Sequence, residues 1–187
     1  MVKDRLYVFC FSHEDFNDYM RMSNLFESPD SEMAVISICS QNDDDPFHWF
    51  QENPYGNVLN IDFDDMDPSI WWRSNMYDIL MDKYLDGKNV DDEFKFYVDD
   101  CQSCELHAMT YNQAEKITNY IRTNIDLGIR KFFIHCSAGV SRSQGVVRYI
   151  MDTYGNEFQV ITRKENPCIT PNIHVVRMLK RVDRFKR

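Results

Sequence analysis

Apolar and polar positions along the 187-residue chain follow two kinds of pattern. Short, nearly continuous apolar runs rich in β-branched and aromatic residues occur at 5–11 (RLYVFCF), 33–39 (MAVISIC), 57–63 (NVLNIDF) and 130–135 (RKFFIH). These lengths predict buried strands. Between them lie stretches whose apolar residues recur at three- and four-residue spacing. In 12–28, Phe16, Tyr19, Met20 and Phe26 share one helical face and Ser12 is placed to cap it. The stretch 67–85 predicts a helix with Asp67 as cap and Pro68 at its first position. In 110–128, Thr110 and Gln113 make a capping-box pair. Ala114, Ile117, Ile121 and Ile125 form its stripe, and Gly128 ends it. A helix over 141–155 ends at Gly155, and a last one over 170–185 has Thr170 as cap and Pro171 at its start. The charged stretch 86–109 has no clear period, although FKFYV (94–98) reads as a further short strand.

Strands alternating with helices imply an α/β sheet. The length suits one domain spanning 1–187, with no repeat, low-complexity tract or linker to divide it. A hydrophobic fraction of 43% supports a packed core. The net charge of −9 makes the chain a poor general binder of nucleic acid or anionic membrane, although a local basic pocket is compatible with it. No apolar run reaches the length of a bilayer span, and the N-terminus lacks a small-residue cleavage site. Six cysteines in a chain too large to need staples read as reduced thiols, so a cytoplasmic setting is expected.

The densest chemistry is HCSAGVSRS, 135–143, at the junction of a buried strand and a helix N-terminus. Free backbone N–H groups and the helix dipole make such a junction an anion site. Gly139 lets the loop curl, and Arg142 adds a planar fork for two phosphate oxygens. Cys136 sits at the base, where charges that bind phosphate also stabilise a thiolate. A thiolate beneath a phosphoryl group is a nucleophile aimed at phosphorus. Ser143 is placed to donate to that sulfur and make it a better leaving group, and His135 to orient the loop. Ser137, Ala138, Gly139, Val140 and Ser141 supply the N–H cradle that Arg142 closes.

His135-Cys136-x5-Arg142-Ser143 resembles the signature loop of the cysteine-based protein tyrosine and dual-specificity phosphatases. Two further elements extend the resemblance across about 33–185. Ile169-Thr170-Pro171-Asn172 is similar to the family's Ile-x-Pro-Asn start of a late helix. LNIDFDD (59–65) is similar to the strand that leads into its acid loop. The resemblance implies a mostly parallel, twisted central sheet with helices on both faces, and a helical insertion over 66–109. It also implies phosphomonoester hydrolysis through a phosphocysteine, with no cofactor and no metal. Phosphorylated protein is the implied substrate, acting as partner in place of membrane or nucleic acid. The cradle carries no lysine, the Trp-Pro-Asp motif of the large tyrosine-specific enzymes is absent, and the cysteine lies mid-chain. The dual-specificity subgroup therefore fits best.

The family's general acid is an aspartate on a mobile loop. Asp65 is favoured because it lies just past an apolar strand. It stands 71 positions before Cys136, which requires 66–109 to be an insertion. Asp99 and Asp100, at 37 and 36 positions, stay open as alternatives, as does Asp64, while Asp67 has a capping task. Cys101-x2-Cys104-x2-His107 lacks the second pair of ligands that zinc needs and reads as incidental thiols. Trp49, Trp71 and Trp72 read as core, with Trp71 or Trp72 as candidate lining of a substrate cleft. The basic stretch 177–187 reads as a polar helix face, with docking of an acidic partner as the alternative. Two other functions compete with hydrolysis of phosphoprotein: a phosphatase-like module that binds without turnover, and an RNA 5′-phosphatase.

Overall fold

The computed structural model describes residues 3–23, 32–40, 57–73, 75–97, 105–164 and 170–186. In chain order they form β1 (Arg5–Ser12), α1 (His13–Met22), β2 (Met33–Cys39), β3 (Val58–Asp62), α2 (Met76–Leu85), β4 (Lys95–Tyr97), β5 (Glu105–His107), α3 (Tyr111–Asp126), β6 (Lys131–Cys136), α4 (Arg142–Tyr154), β7 (Gln159–Lys164) and α5 (Ile173–Lys186). Five strands make one sheet in the order β3-β2-β6-β1-β7, and every pairing is parallel. β4 and β5 form a separate antiparallel pair.

Successive strand residues face opposite sides of the sheet, and both sides are covered. Leu6, Val8 and Cys10 of β1, Ala34, Ile36 and Ile38 of β2, and Phe132 and Ile134 of β6 belong to one apolar cluster. That cluster takes in side chains from α2 through α5. The alternate residues Phe11, Met33, Val35 and Phe133 form a smaller cluster with Phe16 and Met20 of α1. Burial of both faces is why β2 and β6 read as continuous apolar runs. Each fully buried Ile or Phe there contributes about 1.5–3 kcal/mol.

Several expected elements are present. Ser12 Oγ accepts from Asp15 N at 3.1 Å and caps α1. The Thr110–Gln113 capping box opens α3, and Gly128, at φ +90°, lies just beyond its end. Phe26 lies outside the described residues.

Three features differ from the sequence reading. The 67–85 helix is two pieces: a 3-10 turn, Pro68–Ile70, capped by Asp67, and then α2. Consecutive residues on a helix lie about 100° apart, so Ile70, Trp71 and Trp72 cannot all face one core. The break turns Trp72 in against Tyr77 and Phe94, at 5.0 and 5.3 Å between ring centroids, and leaves Ile70 and Trp71 exposed. The cap of α5 is Asn172, whose Oδ1 accepts from Val175 N at 3.0 Å, rather than Thr170. Thr170 N instead bonds Val140 O at 3.1 Å, which pins the chain before the helix to the 137–141 loop. The edge strand β7 carries too little apolar pattern to be read from sequence.

Within 66–109, Tyr77, Leu80, Met81, Val90, Phe94, Ala108 and Met109 are buried in the same cluster as the sheet. His174 joins them. Its Nε2–H donates to Met109 O at 2.8 Å, so Nδ1 accepts from the Tyr77 hydroxyl at 3.0 Å. Burial pushes the His174 pKa down to about 4, and that of His135 down to about 3. Both are neutral in the fold and free to protonate once unfolded, so the unfolded state binds more protons below about pH 6.5. Stability is therefore full above that pH and lost as pH falls towards 4 and then 3. The expected slope is up to about 1.4 kcal/mol per pH unit for each histidine. Urea unfolding at pH 7 and pH 5 should show a clear drop in midpoint at pH 5, and equal midpoints would contradict this account.

Candidate active site

In a parallel sheet the C-terminal strand ends share one edge, and ligand sites gather there. Here that edge brings together Ser12, Ser40, Phe63 and Cys136, at or just past the ends of β1, β2, β3 and β6. Cys136 is the last residue of β6 and Arg142 the first of α4, so the loop between them opens on a helix N-terminus.

The loop is pressed against β1. Gly139 has φ +70°, and a Cβ there would lie 2.5 Å from Phe11 C and Ser12 N. Ser137 O accepts from His13 N at 3.1 Å, and Gly139 O accepts from Gln144 Nε2 at 3.0 Å. On the other side Asn172 N donates to Ser141 O at 3.1 Å. Carbonyls of the loop are thus turned outward onto neighbours.

Cys136 is buried, and its sulfur lies 3.1 Å from Ser143 Oγ. Cys10, beneath the loop, donates its S–H to the same hydroxyl at 3.2 Å and accepts from Gln144 Nε2 at 3.0 Å. With Cys10 donating to it, the Ser143 hydroxyl can turn its own proton to Cys136. The Arg142 guanidinium is buried and fixed at both tips. Nη1 donates to Ser40 Oγ at 2.9 Å and to Phe63 O at 2.8 Å, and Nη2 donates to Ser137 Oγ at 2.9 Å. Its Nε–H has no acceptor among the described residues. His135 is fully buried and stacked on Phe16 at 4.3 Å, with His13 at 6.0 Å. Ser137 and Ala138 are exposed, and Val140 and Ser141 are half-buried.

The aspartates separate clearly. Asp65 Oδ1 accepts from Ser141 Oγ at 2.6 Å and from Asn172 Nδ2 at 2.8 Å, so its carboxylate stands at the rim of the loop. Asp64 is buried and faces away, with Oδ2 accepting from His107 N at 2.7 Å. Asp67 Oδ1 accepts from Ser69 N. Asp99, Asp100, Cys101, Cys104, Trp49 and Ile169 lie outside the described residues. Among the described residues no three His, Cys, Asp or Glu side chains form a metal-binding group, and no helix is long and apolar enough to cross a membrane.

Ninety-two residues align at 33% identity with the "Putative tyrosine phosphatase 123R" of Invertebrate iridescent virus 6. The alignment covers 47% of this chain and 61% of that relative, so the chain spans less than two-thirds of the relative's length. Over those residues the chain is similar to a protein named as a tyrosine phosphatase. Among solved structures, the Cydia Pomonella PTP-2 phosphatase is 22% identical at a TM-score of 0.45, covering 92% of this chain and 83% of that one. The human tyrosine phosphatase-like serine/threonine/tyrosine-interacting protein is 18% identical at a TM-score of 0.42, covering 89% and 84%. No protein-family model matches the chain.

Three residues of this phosphatase-like site were not singled out for it by sequence. Asn172 links the loop, Asp65 and Met66 O, and the Ile169-Thr170-Pro171-Asn172 element that ends on it was the available signal. Ser40 holds Arg142 and is marked only by its position just past β2. Cys10 reaches Ser143 because β1 and β6 run parallel in register, with Cys10 opposite Ile134. Gly139 yields the test of this geometry. Gly139→Ala places a methyl against β1 backbone in a conformation disfavoured for alanine. The melting temperature is expected to fall, and tungstate binding to weaken at least about tenfold. Unchanged melting and unchanged tungstate affinity would refute the packing argument.

Proposed function

We propose that the chain is a phosphomonoester hydrolase of the dual-specificity type, acting on phosphorylated protein through a phosphocysteine at Cys136. The observation that carries this reading is the Asp65 carboxylate held at the rim of the Cys136–Arg142 loop by Ser141 and Asn172. A second observation fits an oxyanion in that loop: the buried Arg142 Nε–H lacks an acceptor among the described residues, and a phosphoryl oxygen would supply one.

In the first step Cys136 sulfur attacks phosphorus. The S–P bond forms as the P–O bond to the leaving oxygen breaks, and protonated Asp65 gives that oxygen its proton. Arg142 and the loop N–H groups meet the charge on the three equatorial oxygens. In the second step Asp65, now a carboxylate, takes a proton from water as the water oxygen attacks phosphorus. The S–P bond breaks, and the Ser143 hydroxyl donates to the departing sulfur. Asn172 and Ser141 are positioning residues for Asp65, and Cys10 and Gln144 are positioning residues for Ser143.

Hydrolysis of para-nitrophenyl phosphate, blocked by vanadate, tests the reading. Cys136→Ser should abolish turnover and keep binding phosphopeptide. Asp65→Asn should lower kcat by about 100-fold or more on alkyl and phenyl phosphates, with phosphate binding intact. Asn172→Ala should lower kcat by about tenfold on the same substrates with little change in KM, and much less on a dinitrophenyl phosphate, whose leaving group needs no proton. Retained turnover in Cys136→Ser would remove the covalent route. A full defect in Asp100→Asn but not in Asp65→Asn would move the acid elsewhere. Phosphopeptide binding by the wild-type chain without any hydrolysis would leave a binding module.

A further inference from the structure

Two segments run outward from the rim of this site. One follows Asp65 through the Pro68–Ile70 turn to Trp72 and Arg73. The other is α5, which starts at Asn172 and carries Ile173, Arg177 and Arg181 at four-residue spacing on one face. They meet over Tyr77, with the guanidinium carbons of Arg177 and Arg181 at 5.6 and 5.2 Å from its ring centroid. Between them is a cavity of about 440 Å³ lined by Ser69, Trp72, Arg73, Tyr77, Arg177 and Arg181.

Among the described residues three arginines and no carboxylate line this cavity, in a chain of net charge −9. Two acids lie nearby, and the Asp67 charge is felt at Tyr77. Asp78, on the exposed side of α2, pairs with Arg181 at 2.6 Å, and Asp67 accepts from Ser69 N. Neither Arg73 nor Arg177 has an ion pair among the described residues, and both are exposed. Arg177 also hydrogen-bonds the Tyr77 side chain, which leaves its other N–H groups and those of Arg73 to converge on the cavity, a geometry that recognises a phosphoryl or carboxylate group.

We propose that this cavity is a second anion site, which takes a phosphoryl or carboxylate side chain of the same protein substrate whose reacting phosphoryl occupies the Cys136 loop. The inference rests on the phosphatase reading above and adds a substrate preference to it. Arg177 and Arg181 lie five and nine residues past Asn172, about 8 and 14 Å along the helix axis. An extended peptide covers that distance in about three to four residues. Ile70, Trp71 and Ile173, on the two connecting segments, are 73%, 60% and 47% exposed and offer an apolar surface to the intervening residues. The rings in the cavity are not platforms for bases. Tyr77 is buried beneath the arginines, and Trp72 is wedged edge-on to Tyr77 and Phe94. A peptide therefore fits better than RNA.

The test compares the wild-type chain with an Arg73→Gln/Arg177→Gln double variant on four substrates. These are para-nitrophenyl phosphate, a peptide with one phosphotyrosine in a neutral sequence, and that peptide with phosphoserine or with glutamate three or four residues to either side. The wild type should favour the doubly phosphorylated peptide by about tenfold in kcat/KM, with the glutamate peptide intermediate. The double variant should lose that preference while its melting temperature and its rate on para-nitrophenyl phosphate stay unchanged. Absence of preference in the wild type, or its survival in the double variant, would overturn the proposal. If the wild type does not hydrolyse para-nitrophenyl phosphate, the phosphatase reading fails by itself. Binding of the same peptides to the Cys136→Ser chain, with and without the two substitutions, then decides the cavity: arginine-dependent tightening by the second anion supports it, and equal affinities refute it.

Discussion

The structure depends on one close approach, the backbone of the Cys136–Arg142 loop against the end of β1 at Gly139. No Cβ fits there, because Phe11 C and Ser12 N occupy its place. The approach turns the Gly139 carbonyl to Gln144 and the Ser137 carbonyl to His13. With these carbonyls committed outward, the proposed role for the loop's N–H groups is to line the space above the thiol, at the positive end of α4. It also brings Cys10 within reach of Ser143, so the hydroxyl beside Cys136 is itself hydrogen-bonded from below. β1 is thus part of the site, although none of its side chains is expected to touch substrate.

A second constraint works from the opposite side. Asn172 satisfies the α5 N-terminus with its side-chain oxygen, the loop with its backbone N–H, and Asp65 and Met66 with its side-chain nitrogen. One residue therefore couples the start of a helix, the anion cradle and the carboxylate. Arg142 is similarly overdetermined, with Ser40, Phe63 O and Ser137 holding its two tips. Such fixed donors need little rearrangement when charge develops on a bound phosphoryl group.

The parts of this arrangement that were legible in the sequence are those set by burial and by local chemistry. β2 and β6 are covered on both faces, so MAVISIC and RKFFIH could be read as strands without any tertiary information. The Thr110–Gln113 box and the Ser12 cap are local hydrogen bonds written in neighbouring residues. The signature loop was legible because its spacing follows from the reach of a thiol, a ring of amides and an arginine. Position after a strand end favoured Asp65 while leaving Asp64, Asp99 and Asp100 open; the Asp65 carboxylate lies against Ser141 and Asn172, and Asp64 turns to His107.

What was not legible depends on contacts distant in sequence. The break between the Pro68–Ile70 turn and α2 exists so that Trp72 can reach Tyr77 and Phe94. β7 is an edge strand whose partner β1 lies more than 140 residues away, and its own pattern is half polar. Ser40 and Cys10 are unremarkable locally, Asn172 was read only as part of a helix start, and all three gain meaning where strand ends and that helix start converge. The most direct measurement of the central claim is a crystal structure with vanadate. The account predicts vanadium bonded to Cys136 Sγ inside the loop, an oxygen accepting from Arg142 Nε–H, and Asp65 facing the apical oxygen. Vanadate bound elsewhere, or a loop whose N–H groups point away from Cys136, would contradict it.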